Sequence, residues 1–216
     1  MAPSHESNGG TVNLRRYAPI AEALALLAVT FPLALVFHLP TLWLLAPVAV
    51  IALTRRPYER YGLTLERPGS AAFHVCVATL VFAPYVVGHY LFARWWLGAT
   101  FHLRLPPQLA AAVIDQFLII ALPEECFFRG YLQTQLDAVL GKPYRLLGAQ
   151  WGVGLPLAAA LFAACHVVYG GPVRLIVFFP ALWYGWLRAR TGTILVPTAY
   201  HAVSNLLMSI MLVSLS

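Results

Sequence analysis

The sequence predicts an all-α fold, a polytopic bundle of about seven transmembrane helices. Hydrophobic residues make up 60% of the 216 residues and charged residues only 10%, and the mean hydropathy is +0.74. The apolar residues also fall into runs long enough to cross the roughly 30 Å hydrocarbon core of a bilayer. The net charge of +6 is spread over the loops between these runs, where basic residues set topology and meet anionic lipid headgroups. It therefore does not indicate nucleic-acid binding.

The apolar runs can be assigned to elements in order. Residues 1–14 are polar and predict a disordered tail, and residues 15–216 predict a single integral membrane domain. The predicted spans are Tyr17 to Leu39, Thr41 to Thr54, Ala71 to Trp95, Leu109 to Leu132 with an extension to Leu140, Val153 to Tyr169, Val173 to Leu187 and Ile194 to Leu212. The first run exceeds the apolar region of a signal peptide and has no Ala-x-Ala site, so it predicts a retained span. The second, of about 14 residues, is short for a crossing, and a re-entrant arm is the alternative.

The distribution of basic residues predicts the orientation. With seven crossings, one side carries Arg15, Arg16, Arg55, Arg56, Arg60, Arg67, Lys142, Arg145, Arg188 and Arg190, and the other carries Arg94, Arg104 and Arg174. The positive-inside rule then places the N-terminus in the cytoplasm. Counting residues from the span ends places the polar residues described below near the midplane, in a site that opens toward the cytoplasmic half.

One stretch, Leu122 to Gly130, places three charges inside an apolar span. Charged groups in hydrocarbon are costly and mark functional sites. Arg129 follows Glu125 by four residues, the spacing of stacked side chains on one helix face. We therefore expect Arg129 to hold Glu125. Glu124 points elsewhere and needs a partner from another helix.

Two later spans carry polar side chains that could meet Glu124. Phe162 and His166 lie on the fifth span, and His201 and Asn205 form an i,i+4 pair on the seventh. A carboxylate with an imidazole can activate a water molecule. A second imidazole and an amide are suitable donors for a developing oxyanion. The set favours water attack on a peptide carbonyl.

These three motifs, in this order, resemble the CAAX protease and bacteriocin-processing family of intramembrane endopeptidases, which includes the Ras-converting CAAX endopeptidase. The run from Glu124 to Gly130 matches the form usual in bacterial members. The resemblance covers the motif-bearing core, residues 109–212. It implies a bacterial inner-membrane protease that acts on a membrane protein, a lipidated segment or a C-terminal tail peptide.

The resemblance also implies roles for single residues. Glu124 and His166 would activate the water, and His201 and Asn205 would form the oxyanion hole. Glu125, Arg129 and Phe162 would orient the site. The best-understood members look like glutamate proteases without a metal, so no cofactor is expected. The alternative is a zinc site made of Glu124, His166 and His201.

Other functions stay open at this point. A catalytically silent relative could act as a membrane chaperone or immunity protein. A small proton-coupled transporter is disfavoured because the sequence has no inverted repeat. Cys126, directly after the two glutamates, suggests a subgroup similar to the myxosortases, which process C-terminal sorting tails, although small apolar packing is its simpler reading.

Overall fold

The structure, a computed structural model, describes residues 14–65 and 70–215. The predicted disordered tail lies, except for its last residue, outside these ranges. The main elements are α1 (Ala18–Phe37), α2 (Leu42–Leu53), α3 (Ala71–Trp96), α4 (residues 109–140), a hairpin of β1 (Tyr144–Leu146) and β2 (Ala149–Trp151), α5 (Gly154–Gly170), α6 (Phe178–Thr191) and α7 (Leu195–Ser214). The all-α membrane fold is confirmed.

Three helices of the described residues are long and apolar enough to cross a bilayer. They are α1 with the turn before it, α3 and α7. The α2 and α5 helices are shorter but apolar. Seven crossings and a cytoplasmic N-terminus stay predictions.

Two elements differ from the sequence prediction. The sixth span was expected to start at Val173, but Pro172–Val177 forms a 3-10 helix and α6 begins only at Phe178. The preceding Gly171 has a φ of +79°, a conformation that favours glycine and interrupts the chain between α5 and α6. The segment after α4, expected to be a plain loop, pairs Tyr144 with Trp151 in an antiparallel hairpin.

The α4 helix carries the two glutamates and changes its helical form along its length. Two π-helical segments, Asp115–Ala121 and Cys126–Leu132, flank one α-helical turn, Leu122–Glu125. Pro123 lies in that turn and has no N–H to donate to the preceding turn. The wider turns of π-helical segments accommodate this missing backbone hydrogen bond, and such segments occur often at functional sites.

The core that holds α4 is aromatic. Trp43 of α2 packs edge-on against Phe127, with ring centroids 4.8 Å apart, and Phe128 packs in the same way against Phe162 of α5 at 5.0 Å. Gly130 lets α4 pass close to the turn Tyr58–Tyr61, because a Cβ there would lie 3.0 Å from the Tyr61 carbonyl oxygen. The glycine at the end of the stretch Leu122 to Gly130 is thus explained by close packing.

The basic side chains gather at one end of the bundle, which we call the Arg-rich end (Arg16, Arg60, Lys142 and Arg188). Arg188 donates from Nη2 to the carbonyl of Arg60 (3.1 Å), and Arg16 donates to the carbonyl of Val139 (3.4 Å). The α1–α2 turn and the α5–α6 connection lie at the opposite end, where His38 and Arg174 line one cavity. This grouping agrees with the alternating crossings used to predict the orientation.

Candidate active site

Glu125 lies in an enclosed cluster at the middle of α4. Its Oε1 is 2.9 Å from Nη1 of Arg129, the expected i,i+4 partner, and 2.9 Å from Nδ1 of His201 on α7. The Glu125 side chain is fully buried and that of Arg129 is 1% exposed. Arg129 also donates from Nη2 to the carbonyl of Ala181 on α6 (3.3 Å). This cluster fixes α4, α6 and α7 to one another around a buried charge pair.

Glu124, the neighbouring residue, has a different environment. Its side chain is 15% exposed, and its Oε2 lies 3.8 Å from Nε2 of His201. Among the described residues no side chain forms a hydrogen bond with that oxygen. Glu124 thus approaches the same histidine as Glu125 from the other ring nitrogen, while its side chain as a whole stays partly exposed. The expected division of labour between the two glutamates agrees with these contacts.

His166 reaches the site from α5. Its Nδ1 lies 2.9 Å from the carbonyl oxygen of Phe162, one turn earlier. A carbonyl oxygen only accepts, so Nδ1 carries the proton and Nε2 keeps its lone pair. The Phe162 ring packs against His166, with centroids 4.2 Å apart, and approaches His201 edge-on at 5.9 Å. Phe162 therefore separates and orients the two imidazoles.

Glu124 and His166 line the same cavity, which has a volume of about 360 Å³. Its other walls are largely apolar, with Trp43, Ile120 and Tyr169 among them. A mostly apolar cavity with a few convergent polar groups is the usual form of a binding site.

The cavity lies toward the opposite end of the bundle rather than the Arg-rich end. His38 and Arg174 line it, and His166 lies only four residues before the end of α5 at Gly170. The cavity therefore lies at the end of the bundle opposite to the Arg-rich end, and the side of the membrane to which the site opens stays a prediction. Span lengths alone do not show how the helices are staggered. Under the predicted orientation, the cavity faces away from the cytoplasm.

Asn205 brings in a residue that the sequence analysis missed. Its Nδ2 donates to Oε1 of Gln116 on α4 at 2.9 Å. Gln116 precedes Glu124 by eight residues, about two helical turns, so both face the same side of α4. A polar amide in the apolar run before the glutamates was the signal available in the sequence.

Tyr184 of α6 is a second missed residue. Its ring stacks on His201 with centroids 5.0 Å apart and an interplanar angle of 17°, and Cζ of Arg129 lies 5.4 Å from its centroid. Its hydroxyl donates to Oγ of Ser204 (2.7 Å). An aromatic residue in an apolar helix normally indicates core packing, so no pattern in the sequence could have singled it out.

The chemistry of the remaining candidates is limited by their placement. Within residues 14–65 and 70–215, no group of three or more His, Cys, Asp or Glu side chains could hold one metal ion, including the zinc set of Glu124, His166 and His201. Cys126 is 1% exposed and does not line the cavity, and Cys165 is also buried.

Comparison with known proteins gives one match. Residues 106–207 match the family described as type II CAAX prenyl endopeptidase Rce1-like. This part of the chain is therefore similar to the Rce1-like family. No curated protein and no solved structure matches the chain. The matched range begins just before α4 and ends two residues after Asn205, so it holds Glu124, His166 and His201 and leaves out α1 to α3. The resemblance drawn from the three motifs is confirmed: the protein is an integral membrane protein of a CAAX protease family.

Proposed function

We propose that this Rce1-like protein is an intramembrane endopeptidase in which Glu124 and His166 activate a water molecule for attack on a peptide bond. One observation carries the proposal: Glu124 and His166 line one cavity, while His201 lies beside Glu124 and is held from behind by Glu125. The arrangement provides a place for water, a base and a donor within one layer of the membrane.

Water activation follows from the acceptor groups of these two residues. The carboxylate of Glu124 and Nε2 of neutral His166 can each accept a hydrogen bond from a water in the cavity that both residues line. When the water oxygen attacks the scissile carbonyl carbon, one of these bases takes its proton. The conjugate acid then gives that proton to the leaving amide nitrogen as the C–N bond breaks. The products are a carboxyl group and an amine, and both bases are regenerated.

The developing oxyanion would be stabilised by His201 and Asn205. The carboxylate of Glu125 accepts from Nδ1–H of His201, so His201 can donate from Nε2 only in its doubly protonated form. The side-chain amide of Asn205 donates one N–H to Gln116 and has a second N–H that can donate to the oxyanion. Losing one such donor typically reduces kcat by about 10²- to 10³-fold.

Glu125, Arg129, Phe162 and Tyr184 would act by positioning. Arg129 compensates the charge of Glu125, and Cζ of Arg129 lies 4.3 Å from the Phe162 ring centroid. Tyr184 fixes the plane of the His201 ring. None of these three contacts requires a metal or cofactor, and the proposed reaction uses none.

The cavity also indicates the kind of substrate. Its apolar walls suit an apolar peptide segment close to the membrane surface, such as a C-terminal tail or a lipidated segment. Under the predicted orientation, the substrate is presented from the non-cytoplasmic face of the inner membrane. This side suits a tail-processing enzyme similar to the myxosortases better than one acting on cytoplasmic proteins.

The proposal is tested by comparing the C-termini of membrane proteins in cells that carry the wild type or Glu124→Gln. Mass spectrometry of tryptic C-terminal peptides should find a defined set of proteins that are shortened only with the wild type. The cut sites then give the specificity. Topology reporters fused to those substrates would show on which side of the membrane cleavage occurs.

A matched control is Asp115→Asn, which removes an exposed carboxylate from the same helix outside the site. It should leave the set of shortened proteins unchanged. Identical C-termini for wild type and Glu124→Gln, with both proteins folded at equal levels, would reject the protease proposal and leave the silent chaperone or immunity protein as the better explanation.

A further inference from the structure

The hairpin between α4 and α5 has an apolar face and a polar face. Successive residues of a strand alternate between its two faces, and residues paired across the strands share a face. The register therefore divides the side chains into an apolar set, Tyr144, Leu146, Ala149 and Trp151, and a polar set, Arg145 and Gln150. Ala149 is fully buried, whereas Tyr144 and Leu146 are 51% and 53% exposed. The apolar face thus packs on the bundle only in part.

The tip of the hairpin exposes a leucine in a conformation that leucine rarely adopts. Leu147 and Gly148 form the two-residue turn and have φ values of +48° and +82°. Such a turn favours Asn-Gly, because a Cβ in the left-handed region comes too close to the backbone carbonyl. Leu147 is nevertheless 76% exposed. Neither the turn geometry nor packing within the described residues accounts for a leucine at this position, which indicates a contact outside the chain.

The tip lies beside two helix ends. Nε1 of Trp186 donates to the carbonyl of Leu146 (3.0 Å), and the Arg190 side chain lies over Gly148, where a Cβ would be 2.8 Å from the arginine Nε. Cζ of Arg190 also lies 5.3 Å from the ring centroid of Phe73. Arg190 belongs to the last turn of α6 and Phe73 to the first turn of α3. The tip is therefore at the depth where the predicted spans meet the membrane surface.

The side chains around the tip suit an anionic lipid surface. Residues 141–153 contain two basic residues and no acidic one, and Arg145 and Arg190 form no salt bridge within the described part of the chain. Basic residues beside a membrane span attract the anionic lipids of the cytoplasmic leaflet. Tyr144 and Trp151, with ring centroids 5.0 Å apart, are of the residue types that prefer the headgroup level. A lipid surface offers acyl chains to the leucines and phosphates to the arginines at the same depth.

We infer that the hairpin is a docking surface for anionic lipid. Leu146 and Leu147 insert between the tops of the acyl chains, and Arg145 and Arg190 contact the phosphate groups. Because Trp186 and Arg190 attach the hairpin to α6, the lipid contact extends to the helix that carries Tyr184. The inference goes beyond the proposed function and does not depend on it, since lipid contact can be measured without a protease assay.

The experiment places a fluorescent label at the tip of the full-length protein, in nanodiscs of phosphatidylcholine and phosphatidylglycerol. An NBD group is attached to Leu147→Cys in a Cys76→Ser background, because Cys126 and Cys165 are buried. The same label on Gln150→Cys, on the polar face, is the matched control. Phosphatidylcholine with a nitroxide near the top of its acyl chain should quench the label at position 147 and leave the label at position 150 almost unquenched.

The charge preference is tested by moving the nitroxide to phosphatidylglycerol at the same mole fraction. At low salt the anionic lipid should be enriched around the tip about fivefold for each basic residue in contact, and high salt should abolish the enrichment. Arg145→Gln should lower it by that factor. Arg55→Gln, which removes an exposed arginine at the end of α2, should leave it unchanged.

Three results would overturn the inference. Equal quenching at positions 147 and 150 would mean that the tip lies in water. A label at position 147 that is protected from iodide but quenched by neither lipid would mean that a protein, such as a second copy of this chain, covers the tip. Equal quenching by the two nitroxide lipids at low salt would mean that the surface does not select anionic lipid.

Discussion

The acidic side chains in the middle and at the end of α4 have different environments. Glu125, in the middle, is fully buried and in contact with both Arg129 and His201. Asp137, three turns later, is half-buried and has an oxygen without a partner, and burial raises its pKa to about 6 although Lys142 and Arg188 counteract the rise. The comparison shows that the acid in the middle of α4 is in direct contact with its counter-charge, whereas the basic neighbours of the acid at the end of α4 do not offset the cost of its burial.

We expect the largest loss of stability when Glu125, the acid paired with Arg129, is neutralised. Glu125→Gln leaves the guanidinium of Arg129 buried without its counter-charge, and we expect a loss of about 3–5 kcal/mol in the free energy of unfolding. The measurement is denaturant unfolding in detergent. Glu124→Gln is the matched control, because its Oε2 makes no hydrogen bond to a described residue and only a longer contact of 3.8 Å with His201, and it should abolish activity at nearly unchanged stability. Similar stability losses for the two variants would remove the distinction between them.

The success and failure of sequence analysis follow the same division. The pair of Glu125 and Arg129 is local, so spacing alone predicted it, and the i,i+4 pair on α7 was predicted in the same way. The partners that cross between helices were not predictable. Gln116 meets Asn205 and Tyr184 stacks on His201 because of helix stagger and rotation, which hydropathy does not encode. The end of the bundle at which the cavity lies depends on the same stagger.

The hydrogen bond between Gln116 and Asn205 joins two uncharged side chains, unlike the contacts of Glu125 and Asp137. Gln116→Leu removes an acceptor that orients the Asn205 amide, while little charge or volume changes. We expect about a tenfold loss of kcat on a substrate found by the C-terminal comparison, and almost no change in stability. In the Asn205→Ala background the same substitution should have no further effect on kcat. Independent losses from the two substitutions would show that Gln116 does not act through Asn205.

A third acid, Glu22 of α1, is paired with a basic residue as Glu125 is, but it is partly exposed to solvent. Its carboxylate accepts from Arg56 at 2.6 and 2.7 Å and from Gln135 at 3.1 Å, and it also accepts from the hydroxyl of Tyr131. These contacts tie the helices outside the family match to α4. Since Glu22 is 35% exposed and Arg56 26%, water screens the pair, and Glu22→Gln should cost only about 1 kcal/mol.

The check on Glu22 is the same unfolding measurement, with Glu59→Gln as an exposed control. A loss as large as that of Glu125→Gln would mean that anchoring α1 matters to the fold as much as the buried cluster does. No loss at all would make the contacts of Glu22 with α4 incidental.

Neutralising Asp137 should raise the free energy of unfolding, whereas neutralising Glu125 should lower it. Burial raises the pKa of Asp137 from its ordinary 3.8 to about 6, so the folded protein binds the proton more tightly than the unfolded chain. Stability should therefore fall as pH rises from about 4 to 6, and the full penalty persists above pH 6. Asp137→Asn cannot ionise, and a shift of about two units corresponds to about 3 kcal/mol, which water at this half-buried site reduces. We therefore expect the variant to be more stable than the wild type by about 1–3 kcal/mol at pH 7.5, with the difference vanishing near pH 4.

The same variant tests whether Asp137 lacks a sufficient counter-charge in the folded protein. A variant that is less stable than the wild type at pH 7.5 would show that Asp137 is already compensated in the folded protein, and that the two parts of α4 do not differ in the way their contacts indicate.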